Sequence, residues 1–524
     1  MKIYKILSLV GLVGTVLTTT VSCKKDFLNN SPTSQIPTEE VFKTTQGARA
    51  AINGIHSIMF ESTDHNAFGY PSIALMSDLM GGDMGMNRQG SGWFVTAYWY
   101  RDVNPQGTGN YMWGFYYDII NNANHIIQNI AGAKGTQADR DEIKAQALSY
   151  RAWAYFQLVN YYQLSYKSTS LAVAGTTRFA VIAPATPSTA LGVPLYTEPT
   201  KIAKPRATLQ EVYNQIIGDL DTALLLFTSS GNTRKDKTQI DIQVAKGIYA
   251  RVALTMQNFT KAATMAREAR GGYPLMSKTE LTGGFNRIYT SEWIWGSVIN
   301  AEQSGIYASF ISQMDNTLNG SYASQQTRTM SVAFFDSTNA ANDPNCIKRY
   351  AVDDYRRGWA TKDSILRVGR WRPFYAQKKF VTQTANTFIA DFPMMRASEM
   401  YLIEAEALAQ QGSVPQANTV LAEFGVTRQP SYVATFATKN AVVQEVWRQR
   451  RLELWGEGFA FTDAKRNMAT ANTGVTPVGG VYYGFGRFIQ IVEKTQVAPA
   501  SADLIFKIPN SELNQNQGCI QNPL

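Results

Sequence analysis

One stretch of the chain reads as a helix and as little else. Between Thr208 and Phe227, the residues Leu209, Val212, Tyr213, Ile216, Ile217, Leu220, Leu224 and Phe227 recur three or four apart. That spacing draws a single apolar stripe along an α-helix. Thr208 and Glu211 stand at its start in a capping-box pattern, where each side chain satisfies a backbone N–H of the other's turn. The same periodicity predicts helices over 45–60, 109–131, 138–164, 241–257, 259–270, 394–411, 414–424 and 440–457. Alanine is frequent on their apolar faces, as at Ala145, Ala147, Ala152 and Ala154, and small residues let two helices approach closely. Breaks between neighbours are short: Gly132 to Gly135 after the second of these, Gln257-Asn258 between 241–257 and 259–270. The pattern predicts a mainly α fold of tetratricopeptide-like helix pairs, with an irregular period and no strict repeat signature. With 44% hydrophobic residues over 524 positions, the chain supports a sizeable core.

Long irregular stretches separate the helices. Residues 61–108 are rich in Gly, Asp, Asn and aromatics, and 165–207 in Pro, Thr and Ala. Residues 271–393 form the largest insertion and hold short strand-like runs such as "EWIWGSVI". Loops of this length are uncommon in compact domains and usually carry function. The expected architecture is a helical scaffold, about 38–60, 109–164, 208–270 and 394–467, bearing large loop lobes and a few short strands.

The N-terminus predicts a location. Lys2 and Lys5 precede an apolar run from Ile6 to Leu17, then small or β-branched residues lead to Cys23. This is the layout of a secretory signal, and the run is shorter than the roughly 20 apolar residues that span a bilayer. Cys23 falls where a lipoprotein is cleaved and acylated, so residues 1–22 are expected to be a signal peptide. Residues 23–37, polar and broken by Pro32 and Pro37, are expected to be a lipidated tether. Residues 38–524 are expected to form a single folded domain, with no later stretch apolar enough to cross a membrane. Losing 1–22 removes two lysines and no acid, so the formal charge falls from +9 to +7. That balance gives no reason to expect nucleic acid as a partner. Cys346 and Cys519 remain, and their spacing does not fix whether they pair.

Catalytic chemistry finds little to work with. The three histidines, His56, His65 and His125, include no pair at metal-ligand spacing on a helix. None lies in a recognisable nucleophile–base motif. A glycosidase needs only two carboxylates across a cleft, but the conspicuous acids, Glu399, Glu404, Glu406, Glu453 and Glu457, lie on scaffold helices. Glu453 and Glu457 stand one turn apart near Arg450 and Arg451, which reads as an ion-pair network. Residues 345–380 carry ten Lys or Arg against three Asp. A solvated face is the plain reading there; an acidic glycan or a docking surface are the sharper ones.

The aromatics are more telling. Trp113, Trp153, Trp447 and Trp455 lie on predicted helices and are expected in the core. Trp293 and Trp295 alternate in a run that reads as a buried strand. By contrast, "GWFVTAYWYRDVN" (92–104) gathers large rings among Gly, Arg and Asp outside the predicted helices. A pyranose offers an apolar C–H face and a rim of hydroxyls, so flat rings beside polar side chains make a sugar platform. The plain alternative is that the rings pack the loop onto the helices.

Six segments in order now give a resemblance. "YMWGFYYDIINNANHIIQNI", "KAQALSYRAWAYFQLVNYYQ", "LGVPLYTEPT" followed by "KPRATLQEVYNQIIGDLDTAL", "PMMRASEMYLIEAEALAQQG", "RQRRLELWGEGFAFTDAKRN" and "FKIPNSELNQNQGCIQNP" resemble the SusD/RagB family of outer-membrane nutrient-binding lipoproteins of Bacteroidetes. Gln449, Ala460 and Asn467 depart from residues frequent in that family, all in a scaffold segment. The resemblance implies a cell-surface, lipid-anchored protein, acylated at Cys23, that captures oligosaccharides. It would deliver them to a SusC-like TonB-dependent transporter, with no catalysis, cofactor or metal. By position it implies ligand contacts from Trp93, Tyr98 and Trp99 in the 61–108 lobe, and from Tyr307, Tyr322 and Trp359 in the 271–393 lobe. Asp83, Asn87, Arg88 and Asp102 would add polar contacts. Oligopeptide capture on the same scaffold is the first alternative; a glycoside hydrolase and a structural helical-repeat adaptor follow.

Overall fold

Residues 38–81, 83–86, 92–98, 107–167, 185–305, 308–330, 334, 350–361, 365–367, 370–372, 375–469 and 504–522 are described by a computed structural model. The expected signal segment and tether, with Cys23, lie outside them, as do Asn87, Arg88, Trp99, Asp102 and Tyr307. The principal helices are α1 Thr45–Ile58, α2 Tyr70–Met80, α3 Thr108–Asn129, α4 Gln137–Tyr162, α5 Leu209–Ser230, α6 Ile242–Thr255, α7 Phe259–Ala269, α8 Ala397–Gln410, α9 Val414–Gly425, α10 Lys439–Glu453 and α11 Ala460–Ala469. Strands are short and pair antiparallel: β1 Met84–Met86 with β5 Arg328–Met330, β2 Leu191–Pro194 with β3 Arg206–Thr208, β4 Trp293–Ser297 with β8 Phe392–Arg396, and β6 Ile365–Arg367 with β7 Arg370–Arg372.

The amphipathic helices form where the periodicity predicts them. At the start of α5, Thr208 accepts from the Glu211 N–H and the Glu211 carboxylate accepts from the Thr208 N–H, so both halves of the capping box are made. Thr136, Asp241, Asn258 and Thr438 cap α4, α6, α7 and α10 through their side chains, each satisfying an orphan N–H of the first turn. In chain order α3 packs on α4, α4 on α5, α5 on α6, α6 on α7 and α7 on α8, while α8 carries α9 and α10. Consecutive helices thus cover one another's apolar stripes, as helix-pair stacking requires. Trp113, Trp153, Trp447 and Trp455 are all buried. Among the described residues, no helix is long and apolar enough to cross a membrane.

Two elements differ from the sequence expectation. Helix α2 lies inside the 61–108 lobe, and every one of its residues is buried. A helix covered on all sides shows no polar face, so periodicity cannot reveal it. Residues 394–396, expected as helix, instead end β8, and α8 starts at Ala397. The predicted strand at 293–297 forms β4 against β8, with all five of its residues buried. Gly247 of α6 faces β8 at close range: a Cβ there would meet Met395 Sδ at 2.2 Å.

An edge-to-face chain of rings ties scaffold to lobes. Tyr150 meets Trp295 at 6.0 Å, Trp295 meets Trp153 at 5.8 Å, and Trp153 meets Tyr70 of α2 at 5.2 Å. Tyr70 then meets Phe392, which meets Phe310 at 4.8 Å in the short helix Phe310–Met314. The β1–β5 ladder, with Met84 opposite Met330, fastens the 61–108 lobe to the 271–393 lobe.

Candidate functional site

Three short turns bring aromatic side chains together where the two lobes meet. The turn at 63–67 is closed by Thr63 and Asp64 N–H groups donating to the Ala67 carbonyl and by the Ala67 N–H donating back to Asp64. It holds His65 half-buried, its N–H bonded to Asp64 Oδ1 at 2.6 Å. Next, Gly92 and Phe94 both adopt positive φ, +83° and +63°. That conformation is natural for glycine and strained for phenylalanine. Phe94 is held in it by burial, its ring edge-on to Phe68 at 5.9 Å. Burial of Phe94 leaves its neighbour Trp93 half-buried at the surface. Third, Ser321 caps the helix Tyr322–Gln325 by accepting from the Ser324 N–H, and the Tyr322 N–H donates to Ser312 Oγ at 3.3 Å.

The result is a trio. His65 and Trp93 stack with centroids 4.2 Å apart and planes 8° from parallel. Tyr322 stands edge-on to both, 5.6 Å from His65 and 6.3 Å from Trp93. Its hydroxyl lies 2.7 Å from His65 Nδ1, a hydrogen bond whose proton sits on one atom or the other according to the imidazole tautomer. Locked rings lose little entropy when a ligand stacks on them, and the phenol and imidazole supply polar edges. The trio therefore offers apolar area with hydrogen-bonding capacity at its margin. Asp64, exposed beside it, adds a carboxylate.

Trp93 and Tyr322 come from the two lobes named in the sequence, and the structure brings them together. Three other expected contacts turn inward and are corrected. Tyr98 is 3% exposed, and burial pushes its hydroxyl up to about 12, so it faces core rather than ligand. Asp83 is buried under Arg451, whose Nε and Nη2 donate to its two oxygens at 2.7 and 2.5 Å. Trp359 is 1% exposed; its indole N–H donates to the Leu281 carbonyl at 2.8 Å and its ring packs edge-on against Phe285 at 5.4 Å. A ring covered on both faces cannot stack on a sugar. His65, which the sequence offers only as a candidate base or metal ligand, joins Trp93 and Tyr322 as an unexpected third ring. Its signal is its place in the aromatic, glycine-rich 61–108 lobe.

The scaffold acids are all matched by cations. Glu399 takes two hydrogen bonds from Arg251, Glu404 is bridged by Arg267 and Arg270, and Glu406 pairs with Arg466. The expected network at Glu453 and Glu457 exists with other partners than those adjacent in sequence. Glu453 receives Arg356, Arg396 and Arg428, and Glu457 receives Lys379 and Arg396. Arg450 turns to Asp463 and Arg451 to Asp83. Burial works to raise the Glu453 carboxyl, but the three guanidiniums overcome it and hold the group well below the usual carboxylate range. Two members of the basic stretch, Arg356 and Lys379, are thus core ion-pair partners and not part of a solvated face. Such fully paired, buried acids have no access to a substrate. Among the described residues, no group of three or more His, Cys, Asp or Glu is placed to hold a metal ion.

Comparison with known proteins bears on the family and the fold. Residues 26–254 match a SusD-like family model described as starch-binding associating with outer membrane, and residues 277–524 match the model of the SusD family. No curated protein matches the chain. Among solved structures, a SusD-like carbohydrate binding protein from Bacteroides vulgatus is 28% identical, with a TM-score of 0.74 over 91% of this chain and 97% of that one. A SusD superfamily protein from Bacteroides thetaiotaomicron is 20% identical, with a TM-score of 0.67 over 92% of this chain and all of that one. A laminarin binding SusD-like protein is 19% identical, with a TM-score of 0.60 over 92% and 99%. The last two show likeness of fold.

Proposed function

Because the chain belongs to the SusD/RagB family, we propose that it captures oligosaccharides on the His65–Trp93–Tyr322 trio and passes them, unchanged, to a SusC-like TonB-dependent transporter. The observation that carries the reading is the trio itself: locked, partly exposed rings with polar edges, drawn from both lobes. A sugar ring needs an apolar face to stack on and donors and acceptors at its rim, and the trio supplies both. Absence of turnover is supported by the acids, since Glu399, Glu404, Glu406, Glu453 and Glu457 are each buried under a cation. The carbohydrate-binding relative at 28% identity supports the ligand class.

The test offers the purified protein a glycan panel and, in parallel, a peptide library. Binding to a subset of glycans is expected, with the bound glycan recovered intact after long incubation. Selective peptide binding would replace the reading with peptide capture, and shorter products in excess of the protein would revive a hydrolase.

Location follows from the same reading. Cys23 is the proposed lipid attachment site, and the lipid would hold the protein at the outer membrane, on the cell surface. Several acyl chains anchor stably where one binds only marginally. In the native host, Cys23→Ala is expected to move the protein out of the membrane fraction. Unchanged partitioning of that variant would mean that something other than acylation holds it there.

A further inference from the structure

Two Asn-Gly pairs occur in the chain, Asn53-Gly54 and Asn319-Gly320. All four residues are exposed, so the pairs differ in backbone and not in access to water. Asparagine is a thermolabile residue. Its side-chain carbonyl can be attacked by the backbone nitrogen of the next residue, and glycine, with no Cβ, obstructs that approach least. Asn53-Gly54 is held inside α1, where the Gly54 N–H belongs to the helix ladder. Attack there requires the helix to open first.

Asn319-Gly320 is instead the tip of a turn. The Ser321 N–H donates to the Leu318 carbonyl at 3.4 Å, and Gly320 has φ of +77°, a left-handed value that glycine adopts without strain in a tight turn. Among the described residues, neither the Asn319 amide nor the Gly320 N–H has a hydrogen-bond partner. The attacking nitrogen and the carbonyl it attacks are thus adjacent, solvated and unengaged. The flanks of the turn are fixed. Leu318 is buried. The Ser321 hydroxyl donates to the Asp315 carbonyl at 2.8 Å and accepts from the Ser324 N–H at 3.0 Å. Ser321 thereby joins the turn to the short helix that carries Tyr322 of the trio.

We infer that Asn319 is a site of spontaneous covalent modification, through a cyclic imide with Gly320, and that the product displaces Tyr322. The Gly320 nitrogen bonds to Asn319 Cγ and the Cγ–Nδ2 bond breaks. The Gly320 amide proton leaves with Nδ2 as ammonia. Water then opens the ring. Opening at Cγ gives aspartate; opening at the main-chain carbonyl gives isoaspartate, whose main chain runs through Cβ. One amide becomes one carboxylate, water is consumed, ammonia is released, and nothing is oxidised or reduced. Isoaspartate adds a methylene to the main chain between Leu318 and Ser321. Both flanks are anchored, so the cap on the Tyr322 helix takes up the extra length.

The test ages the whole mature protein at mildly acid and mildly alkaline pH and reads each asparagine by mass spectrometry, with fragmentation that separates aspartate from isoaspartate. Asn319 is expected to convert at least about tenfold faster than Asn53, whose helix must open first. Conversion is expected to be faster at the higher pH, where more of the attacking nitrogen is deprotonated. Asn53→Gln should leave the rate at 319 unchanged. The Tyr322 hydroxyl bonds His65 Nδ1, and the chain has three histidines. The His65 ring signal in NMR, identified by its loss in His65→Gln, is therefore expected to shift in the aged parent and not in aged Asn319→Gln. The inference is overturned if Asn319 stays an amide, if Asn53 converts as fast, or if the His65 signal is unmoved in the modified protein or moves equally in Asn319→Gln.

Discussion

Replacing Glu453 with glutamine is expected to lower the folding stability by about 3–5 kcal/mol, the cost of breaking a buried ion-pair network by removing one partner. Four cations, Arg356, Lys379, Arg396 and Arg428, meet four acids, Glu292, Asp354, Glu453 and Glu457, and none of the eight is more than 4% exposed. The charges balance. Glu453 is their hub: Oε1 accepts from Arg396 and Arg428, both at 3.0 Å, and Oε2 accepts from Arg356 at 3.1 Å and Arg428 Nε at 3.2 Å. Glutamine keeps the shape but turns an N–H₂ toward guanidinium and leaves one buried positive charge uncompensated. Gly458 after the hub has φ of +90°, and a Cβ there would meet Ala74 of α2 at 2.7 Å, so the turn beyond the hub packs directly on α2.

The network also sets a pH dependence. Glu453 is held below its ordinary value in the folded protein, whereas an unfolded glutamate titrates near about 4.3. As pH falls below that value the unfolded chain takes up a proton that the folded chain refuses. The stability contributed by Glu453 is therefore complete above about pH 4.3 and is lost progressively below it. Urea unfolding at pH 7 and at pH 3 checks both points. The variant should unfold at much lower urea at pH 7, and its midpoint should fall less than the parent's between the two pH values. Superimposable curves at pH 7 would mean that the network adds nothing to stability.

What the sequence discloses and what it hides divide along physical lines. The α5 helix was legible because its stripe and its capping box are local, set by residues within a few positions of each other. The buried helix α2 was not, because its partners cover every face. Asp83 looked like a ligand contact because its partner, Arg451, lies 368 positions away. Trp359 looked exposed for the same reason: the Leu281 carbonyl that takes its N–H is 78 positions back. Arg356 and Lys379 sit in a run of charges that reads as a surface, yet beside the local Asp354 they are paired by Glu453 of α10 and Glu457 in the turn beyond it. The trio was half legible. Trp93 and Tyr322 were named from two separate lobes, but the bond that unites Tyr322 with His65 spans 257 positions. Composition marks such a lobe as aromatic; only the fold decides which rings face outward.

Trp93→Ala is expected to weaken oligosaccharide binding by roughly five- to a hundredfold. The range takes about 1–3 kcal/mol per stacked ring from base–aromatic contacts and converts it at about 1.4 kcal/mol per tenfold. Trp93 is half-buried and meets His65 and Tyr322 at the surface, so its loss should leave the fold in place. Trp359→Ala supplies the contrast, since removing a fully buried ring costs about 3–5 kcal/mol and should bring an early melt. The most direct measurement is a calorimetric titration of one glycan that the parent binds into the parent and into Trp93→Ala, with a thermal melt of each. Capture on the trio predicts a large loss of affinity at a nearly unchanged melting temperature. A Trp93→Ala protein that melts like the parent and binds with the parent's affinity would place the ligand elsewhere and contradict it.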